Sequence, residues 1–308
     1  MGRLWGRLDD PTGDAGYDAP HPPRMGFFTD TSVCIGCKAC EVACKTWNEV
    51  PDDGYLLTGM SYDNTQELGA STWRHVAFVE QPVERSVVPT SSTGVGVETT
   101  DLGMPGIGPG ATDGDAGVRW LMSSDVCKHC THAACLDVCP TGALFRTEFD
   151  TVVVQQDVCN GCGYCVSACP YGVIDQRKDD GRVFKCTMCY DRIGVGQEPA
   201  CAKACPTKSI QFGELDDLRE RAQERVDALH EQGLADARLY GDSPDDGVGG
   251  TGAFFLLMDE PETYGLPPDP VVCSRDLPQM WRQAAIAAGT LLAGLAATFL
   301  GRKGQNGE

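Results

Sequence analysis

Positive charge is scarce in this sequence. Lys and Arg number 25 against 44 Asp and Glu, which gives a formal net charge of −19 over 308 residues. Binding the phosphates of a nucleic acid requires a basic face, so this balance argues strongly against a nucleic-acid partner. The excess of carboxylates instead indicates a solvated, acidic surface that favours solubility.

Features of an enzyme active site are also missing. No residue pattern suggests a substrate acid, a base or a nucleophile, and the one glycine-rich run, G-V-G-G-T-G at 247–252, stands before a predicted strand. A dinucleotide-binding loop follows a strand instead. We therefore expect no small-molecule substrate and no catalysis by this chain alone.

An export signal is not found near the N-terminus. Residues 1–24 hold neither an apolar segment nor an adjacent pair of arginines, because Leu-Trp-Gly separates Arg3 from Arg7. We expect the chain to carry no export signal of its own. If it leaves the cytoplasm, it would travel folded with a partner that carries the signal.

Cysteine, in contrast, is abundant and grouped. Sixteen of the 17 cysteines form four groups of four. The first group is Cys34, Cys37, Cys40 and Cys44, and the second is Cys127, Cys130, Cys135 and Cys139. The third is Cys159, Cys162, Cys165 and Cys169, and the fourth is Cys186, Cys189, Cys201 and Cys205. Proline follows the last cysteine of three groups, as in bacterial ferredoxins, whereas Lys45 follows the first group.

Disulfides and zinc are the competing interpretations of these cysteines. Disulfide-dense scaffolds are normally short secreted chains, which this one does not resemble. Zinc ribbons use paired C-x2-C knuckles, whereas C-x2-C-x2-C-x3-C-P is typical of cubane clusters. The four complete sets therefore predict four 4Fe-4S clusters as cofactors, with all sixteen cysteines as iron ligands.

Two-cluster ferredoxins exchange their fourth ligands, and the sequence leaves the exchanging partners open. Only nineteen residues separate Cys139 from Cys159, so adjacency favours pairing the second group with the third and leaves the first to pair with the fourth. That scheme predicts four ligand sets: Cys34, Cys37, Cys40 with Cys205; Cys186, Cys189, Cys201 with Cys44; Cys127, Cys130, Cys135 with Cys169; and Cys159, Cys162, Cys165 with Cys139.

Hydrophobic patterning predicts an α+β fold of two fused bacterial-ferredoxin-like two-cluster modules with long loops and a single C-terminal helix. We predict strands at 25–31, 71–83, 120–123, 151–155 and 252–258, and helices at 40–48 and 214–232. Repeated cluster-loop ends, such as V-C-P-T-G-A-L at 138–144 and A-C-P-Y-G-V-I at 168–174, support the modular interpretation. We expect Trp47 to pack against the cluster or core, His75 to be a satisfied or exposed strand histidine and not a ligand, and Cys273 to be a packed or idle thiol.

These elements divide the chain into four predicted segments. They are an extended arm at 1–24, a four-cluster domain at 25–213 with a surface insertion at 87–117, a helix and strand packed on it at 214–280, and a C-terminal helix with a tail at 281–308. Ala284–Leu300 carries no charge over seventeen residues, about 25 Å of helix. This run predicts a transmembrane anchor, with a partner-docking helix as the alternative.

With these motifs in hand, the chain resembles the iron-sulfur (beta) subunit of membrane-bound formate dehydrogenases, in the four-cluster class serving molybdopterin oxidoreductases. The resemblance rests on G-C-K-A-C-E-V-A-C, K-C-T-M-C-Y-D-R and Y-G-L-P-P-D-P at 264–270. The cysteine pattern alone is similar to that of dimethyl sulfoxide, polysulfide and nitrate reductase subunits. The nitrate type has Trp at one third-group position, where this chain has Cys162.

The resemblance implies a molybdenum or tungsten bis-pterin catalytic alpha subunit as electron donor and a cytochrome b gamma subunit or quinone as acceptor. It implies location at the cell membrane, with the globular part either cytoplasmic or exported with the alpha subunit. It also implies that the first and fourth groups lie nearer the catalytic subunit. The alternatives are a subunit of another molybdopterin reductase, of dimethyl sulfoxide, polysulfide or thiosulfate type, or a soluble module of a hydrogenase or reductase.

Overall fold

A computed structural model of the chain describes residue 17 and residues 22–52, 54, 59, 63–83, 117–274 and 276–303. All of the seventeen cysteines fall within these ranges. The predicted arm at 1–24 lies mostly outside the described residues, and the predicted insertion at 87–117 lies outside them except for its last residue.

The described part of the chain contains ten strands and seven α-helices. The strands are β1 (Met25–Asp30), β2 (Arg74–Val83), β3 (Gly117–Val126), β4 (Leu144–Arg146), β5 (Val152–Val154), β6 (Asp175–Gln176), β7 (Val183–Phe184), β8 (Ile210–Glu214), β9 (Arg238–Tyr240) and β10 (Ala253–Leu257). The helices are α1 (Ala39–Trp47), α2 (Ala134–Asp137), α3 (Tyr164–Ala168), α4 (Tyr190–Ile193), α5 (Ala200–Ala204), α6 (Leu215–Glu231) and α7 (Leu277–Lys303).

A four-stranded sheet of order β8-β1-β10-β9 forms the main core. β1 runs parallel to β10, while the β1–β8 and β10–β9 pairs are antiparallel. Phe27 and Phe28 are both buried in β1, and every residue of β10 is buried. The predicted strands at 25–31 and 252–258 are thus confirmed, and burial of strands on both faces explains their continuous apolar runs.

Helix α6 covers this sheet. Its buried positions are those that the helical spacing in the sequence predicts: Leu215, Leu218, Ala222, Val226 and Leu229. They recur at intervals of three and four residues, which places them on one face of the helix. The predicted helix at 214–232 is confirmed.

The other strands form three antiparallel hairpins, β2–β3, β4–β5 and β6–β7. The predicted strands at 71–83, 120–123 and 151–155 are confirmed as β2, β3 and β5. β3 pairs with β2 along all ten residues, and β5 pairs with β4. Strand β4 has only three residues, too few for a sequence period to reveal it.

Helix α7 is exposed along its described side chains, including Trp281, Leu291 and Phe299. Among the helices of the described residues, none combines the length and the apolar character needed to cross a membrane. The predicted transmembrane anchor at Ala284–Leu300 is therefore not supported. Alanine, glycine and threonine supply most of this run and have less apolar surface than leucine, isoleucine or phenylalanine.

Candidate metal centres

The first C-x2-C loop of each of the four groups has the same backbone feature. The residue immediately before the second cysteine of each group has a positive φ: Gly36 (65°), His129 (45°), Gly161 (69°) and Met188 (57°). A left-handed residue turns successive backbone N–H groups toward one side of the loop, which creates a concave anion-binding surface. The backbone of these four loops is therefore shaped to bind an anionic group, as a thiolate-ligated iron–sulfur cluster would be.

Thiols of the first and fourth groups lie close enough for their charges to interact. Burial raises the pKa of the Cys34 thiol, and the thiolate charges of Cys205 and Cys37 raise it further. The pKa of Cys44 is raised first by burial and then by thiolates of the fourth group, namely Cys186, Cys201 and Cys189. Helices α1 and α5 pack together and so carry the two groups into contact.

The second and third groups meet in the same way. The pKa of the Cys130 thiol is raised well above its usual value by burial and by the thiolates of its neighbours, which are Cys127, Cys135 and Cys169. The pKa of Cys165 is raised to about 11 by burial and by the thiolates of a second set, which are Cys159, Cys162 and Cys139. Helix α2 packs on helix α3, which explains this meeting.

We name the four thiol sets after the group that supplies three members. Site 1 is Cys34, Cys37, Cys40 and Cys205; site 2 is Cys127, Cys130, Cys135 and Cys169. Site 3 is Cys159, Cys162, Cys165 and Cys139; site 4 is Cys186, Cys189, Cys201 and Cys44. Thiolate charges also act between sites, in three pairs: Cys40 with Cys201, Cys186 with Cys127, and Cys135 with Cys165. The sites thus follow one another in the order 1, 4, 2, 3.

All seventeen cysteines are free thiols in this structure. Within the described ranges, no three His, Cys, Asp or Glu side chains converge closely enough to bind a single metal ion. A cubane cluster is several atoms wide, so its thiolate ligands stand farther apart than the ligands of one tetrahedral ion.

All four thiols of site 2 line one cavity. His129 also lines this cavity and is buried. Its Nδ1 accepts a hydrogen bond from the backbone N–H of Val152 at 3.1 Å, while its Nε2 has no partner among the described residues. A buried Nε2–H donor beside four thiols fits an iron–sulfur cluster, whose sulfide atoms accept hydrogen bonds.

The glycine-rich run at 247–252 packs against the second cysteine loop. Gly252 N–H donates to His129 O at 3.1 Å, and Thr131 N–H donates to Gly250 O at 3.0 Å. A Cβ atom on Gly249 would lie 2.4 Å from His132 Cδ2. The glycines therefore permit two backbones to approach, which explains this run without a nucleotide.

Polar groups hydrogen-bond several of the sulfur atoms. The Asn48 amide nitrogen lies 3.7 Å from both Cys44 Sγ and Cys189 Sγ in site 4. Ser124 Oγ lies 3.2 Å from Cys40 Sγ in site 1. Hydrogen bonds to sulfur stabilise the charged form of a ligand and tune a bound cluster.

Several buried cations lie beside the cysteine sites, and the cysteine motifs alone do not reveal them. Lys128 and Lys185 are buried next to Cys127 and Cys186, a position that the sequence does indicate. Arg74 is also buried, yet it lies far in sequence from every one of the sulfurs that it approaches. No local sequence signal could have revealed its role.

Three residues outside the cysteine sites, His75, Trp47 and Cys273, differ in burial. His75 is buried, and its Nε2 lies 2.9 Å from Asp63 Oδ1, which confirms a partnered strand histidine. Trp47, which we expect to pack against the cluster or core, is 46% exposed and donates its Nε1–H to Asp191 on helix α4. Cys273 is exposed and belongs to none of the four sites.

Comparison with known families supports this view of the cysteines. Residues 118–215 match a 4Fe-4S dicluster domain, and residues 31–47 match a 4Fe-4S binding domain. Together the two matches include the sixteen grouped cysteines and leave out Cys273. The fold thus contains ferredoxin-like 4Fe-4S domains in a mixed α/β arrangement.

The chain is also similar over most of its length to iron-sulfur subunits of known enzymes. The chain is 37% identical over 290 residues to the formate dehydrogenase iron-sulfur subunit of Haemophilus influenzae, covering 91% of this chain and 81% of that protein. It is 37% identical to the nitrate-inducible formate dehydrogenase iron-sulfur subunit of Escherichia coli K12, covering 90% and 83%. The B subunit of the anaerobic dimethyl sulfoxide reductase from the same strain is 33% identical, covering 64% and 77%.

Proposed function

Because the chain belongs to the family of formate dehydrogenase iron-sulfur subunits, we propose that it receives electrons from a bis-pterin catalytic subunit that oxidises formate. The chain is an electron-transfer subunit with 4Fe-4S clusters, and we assign the thiols of sites 1 to 4 as ligands of four such clusters. Each cluster supplies one-electron redox chemistry when bound. Formate oxidation releases two electrons, so a series of one-electron carriers lets them leave singly.

The observation that carries this proposal is the packing of the cysteine groups in two pairs, through α1 on α5 and α2 on α3. Thiolate interactions between the sites then join them in the order 1, 4, 2, 3. The chain's own residues hold the carriers in sequence and exclude water from the inner ones. Cys44, Cys186 and Cys201 are buried at site 4, whereas Cys37 at site 1 and Cys162 at site 3 are exposed. Electrons would therefore enter and leave through the two exposed ends of the series.

The two pairs of exchanging groups support two fused two-cluster modules. Sites 1 and 4 form one module, and sites 2 and 3 form the other. The electrostatic interaction between Cys186 and Cys127 links them. We propose that site 1 faces the catalytic subunit and that site 3 faces the acceptor.

For the acceptor we propose a cytochrome b subunit or a quinone, within a complex at the cell membrane. The exposed apolar side chains of helix α7 are consistent with docking on a partner subunit. Purification with and without detergent tests this location. Release of intact complex from membranes by a salt wash alone would contradict it.

The electron-transfer function is tested with the complex purified from its host. Formate should reduce all four clusters, as followed by electron paramagnetic resonance, while the isolated chain with its clusters should not respond. Cys162→Ser should stop onward transfer but leave reduction of site 1 intact, and Cys273→Ser is the matched control. Clusters that stay oxidised with formate in the intact complex would contradict the proposed donor.

A dimethyl sulfoxide-type reductase subunit is the second candidate, because 33% identity to the B subunit of such an enzyme supports it. There, electrons would run toward the catalytic subunit. Oxidation of prereduced clusters by dimethyl sulfoxide, with no reduction by formate, would favour this alternative.

A further inference from the structure

We propose that Arg74 is a positioning residue for electron transfer, whose buried positive charge raises the reduction potentials of the clusters at sites 1 and 4 together. This inference rests on the proposed function, because it requires clusters at both sites. It concerns a residue outside every cysteine group, at the start of strand β2.

Arg74 touches both sites. Its Nη2 lies 3.4 Å from Cys201 Sγ of site 4. Its Nη1 donates to Ser124 O at 3.1 Å and lies 3.4 Å from Ser124 Oγ. Ser124 Oγ in turn lies 3.2 Å from Cys40 Sγ of site 1. One guanidinium therefore reaches a sulfur of site 4 directly and a sulfur of site 1 through a hydroxyl.

The guanidinium is held firmly in this position. Arg74 is 1% exposed, and its guanidinium carbon lies 4.9 Å from the centroid of the Phe27 ring. Arginine stays charged under all ordinary conditions and presents several donors in a rigid plane. Its Nε has no hydrogen-bond partner among the described residues, so one further donor is left for a group within the sites.

The counter-charges of Arg74 are sulfurs. No ion pair of the described residues joins it to a carboxylate. Burial alone would lower the pKa of Arg74, but thiolates of both sites raise it: Cys201, Cys40, Cys186 and Cys44. A buried cation without a partner is costly, so this arrangement indicates that negative charge at the two sites compensates it.

A fixed cation favours the more negative state of its neighbours. A cluster gains one negative charge when it accepts one electron, with no bond formed and no proton moved. Net charge and hydrogen bonds to sulfur are the levers that set cluster potentials. Removing the charge of Arg74 should therefore make sites 1 and 4 harder to reduce, while sites 2 and 3 stay unchanged.

The test is a redox titration of the purified complex by electron paramagnetic resonance. Signals are assigned to sites beforehand with Cys37→Ser for site 1 and Cys189→Ser for site 4, which leave Cys40 and Cys201 in place. Arg74→Gln should lower the reduced-to-oxidised ratio at a fixed potential at least tenfold at both sites, about 59 mV for a one-electron couple. Arg74→Lys, which keeps the charge, should shift the ratio much less.

Two controls separate tuning from a structural role. Ser124→Ala removes the hydroxyl next to Cys40 but leaves the charge, and should shift site 1 alone. Arg146→Gln removes another buried arginine, whose Nη2 donates to Cys130 O at 3.2 Å, and should leave sites 1 and 4 unchanged.

The outcomes that overturn the proposal are distinct from failure of the proposed function. Unchanged titrations in Arg74→Gln with full iron content would refute tuning. Equal shifts in the Lys and Gln variants would refute a role for the charge. If Arg74→Gln does not assemble, the other two variants are compared with the native complex. The proposal then requires that Ser124→Ala shift site 1 alone and that Arg74→Lys shift both sites only slightly, and any other result overturns it. The titration uses a chemical reductant, so it stays informative even if formate is not the donor.

Discussion

Sites 4 and 3 each present four thiols to a cluster, but the two sets of thiols differ in burial and in the charges beside them. At site 4, Cys44, Cys186 and Cys201 are buried, and a buried arginine supplies positive charge beside them. At site 3, Cys162 is exposed and Cys159 is partly exposed. Burial works against ionisation of Cys139, yet the backbone N–H groups of Leu144 and neighbouring residues hold its pKa below the usual value.

The difference shows how burial determines what a sulfur site needs. A buried thiolate loses the stabilisation of water, so the protein provides a side-chain cation or amide. Near the surface, water and backbone N–H groups are sufficient. We expect substitutions at the buried site to disturb stability and potential together, and those at the exposed site to affect one cluster.

The largest effect should come from removing one ligand at each site. Cys201→Ser leaves Arg74 without its nearest sulfur partner, and breaking such a buried interaction costs about 3–5 kcal/mol. Cys162→Ser exposes no buried charge. Thermal unfolding and iron content should show a strongly destabilised Cys201 variant, and a folded Cys162 variant that has lost about four irons. Equal destabilisation by Cys201→Ser and Cys162→Ser would contradict the proposed difference between sites 4 and 3.

A backbone substitution near site 1 should have the next largest effect. A Cβ atom on Gly36 would lie 2.6 Å from both Met122 Sδ and Phe78 Cε1, at a φ of +65°. Gly36→Ala should cost about 1–3 kcal/mol for overpacking, in addition to about 1 kcal/mol for the left-handed backbone. Gly172→Ala is the matched control, because its φ is +64° with no atom within 4 Å. Denaturant unfolding measures the difference, and equal losses would exclude the clash.

A smaller effect is expected at the loop of site 3. The Gln176 amide nitrogen donates to Gly161 O and, at 3.0 Å, to Gly181 O. Gln176→Ala should cost about 1 kcal/mol per lost bond and speed the loss of the site 3 cluster to a chelator. Gln223→Ala removes the hydrogen bond that the Gln223 amide donates to Asp227 Oδ1 on helix α6, outside all four cysteine groups, and should not change that rate. Identical rates in both variants would contradict a role for Gln176 in holding the loop.

The smallest effect concerns pH. Burial would raise the pKa of Asp63, but the hydrogen bond with His75, the backbone N–H of Gln66 and the charge of Lys38 together lower it. A carboxyl with a lowered folded-state pKa stabilises the fold above its unfolded value of 3.8, and this contribution disappears as the pH falls through the folded value. Asp63→Asn should therefore cost less than about 1 kcal/mol at pH 7, after allowance for solvent screening, and nothing in strong acid.

The exposed turn between β6 and β7 offers a matched control for this pH effect. Arg182 holds the pKa of Asp180 below its usual value, chiefly through its backbone N–H and its side chain. Asp180 is exposed to solvent, so Asp180→Asn should leave thermal unfolding unchanged at pH 7. A larger loss in Asp180→Asn than in Asp63→Asn would reverse the comparison between the two regions.

Local patterns predicted part of this structure well. The helical spacing from Leu215 to Leu229 specified the buried face of α6, because one helix needs only one apolar stripe. The pairing of β3 with β2 was missed, since a strand's partner depends on segments that are distant in sequence. The exposed position of Trp47 was missed for the same reason, because Asp191 and Arg192 hold it from another helix.

By itself, the sequence determined the cofactor chemistry of this protein, because cysteine spacing within a loop of a few residues decides what those thiols can bind. The tertiary structure alone decided the order of the four sites and the electrostatic surroundings of each. Arg74, Ser124 and Cys201 meet only after helices and strands have packed. Burial then fixes how strongly each charge acts, since charges interact most strongly where water is excluded.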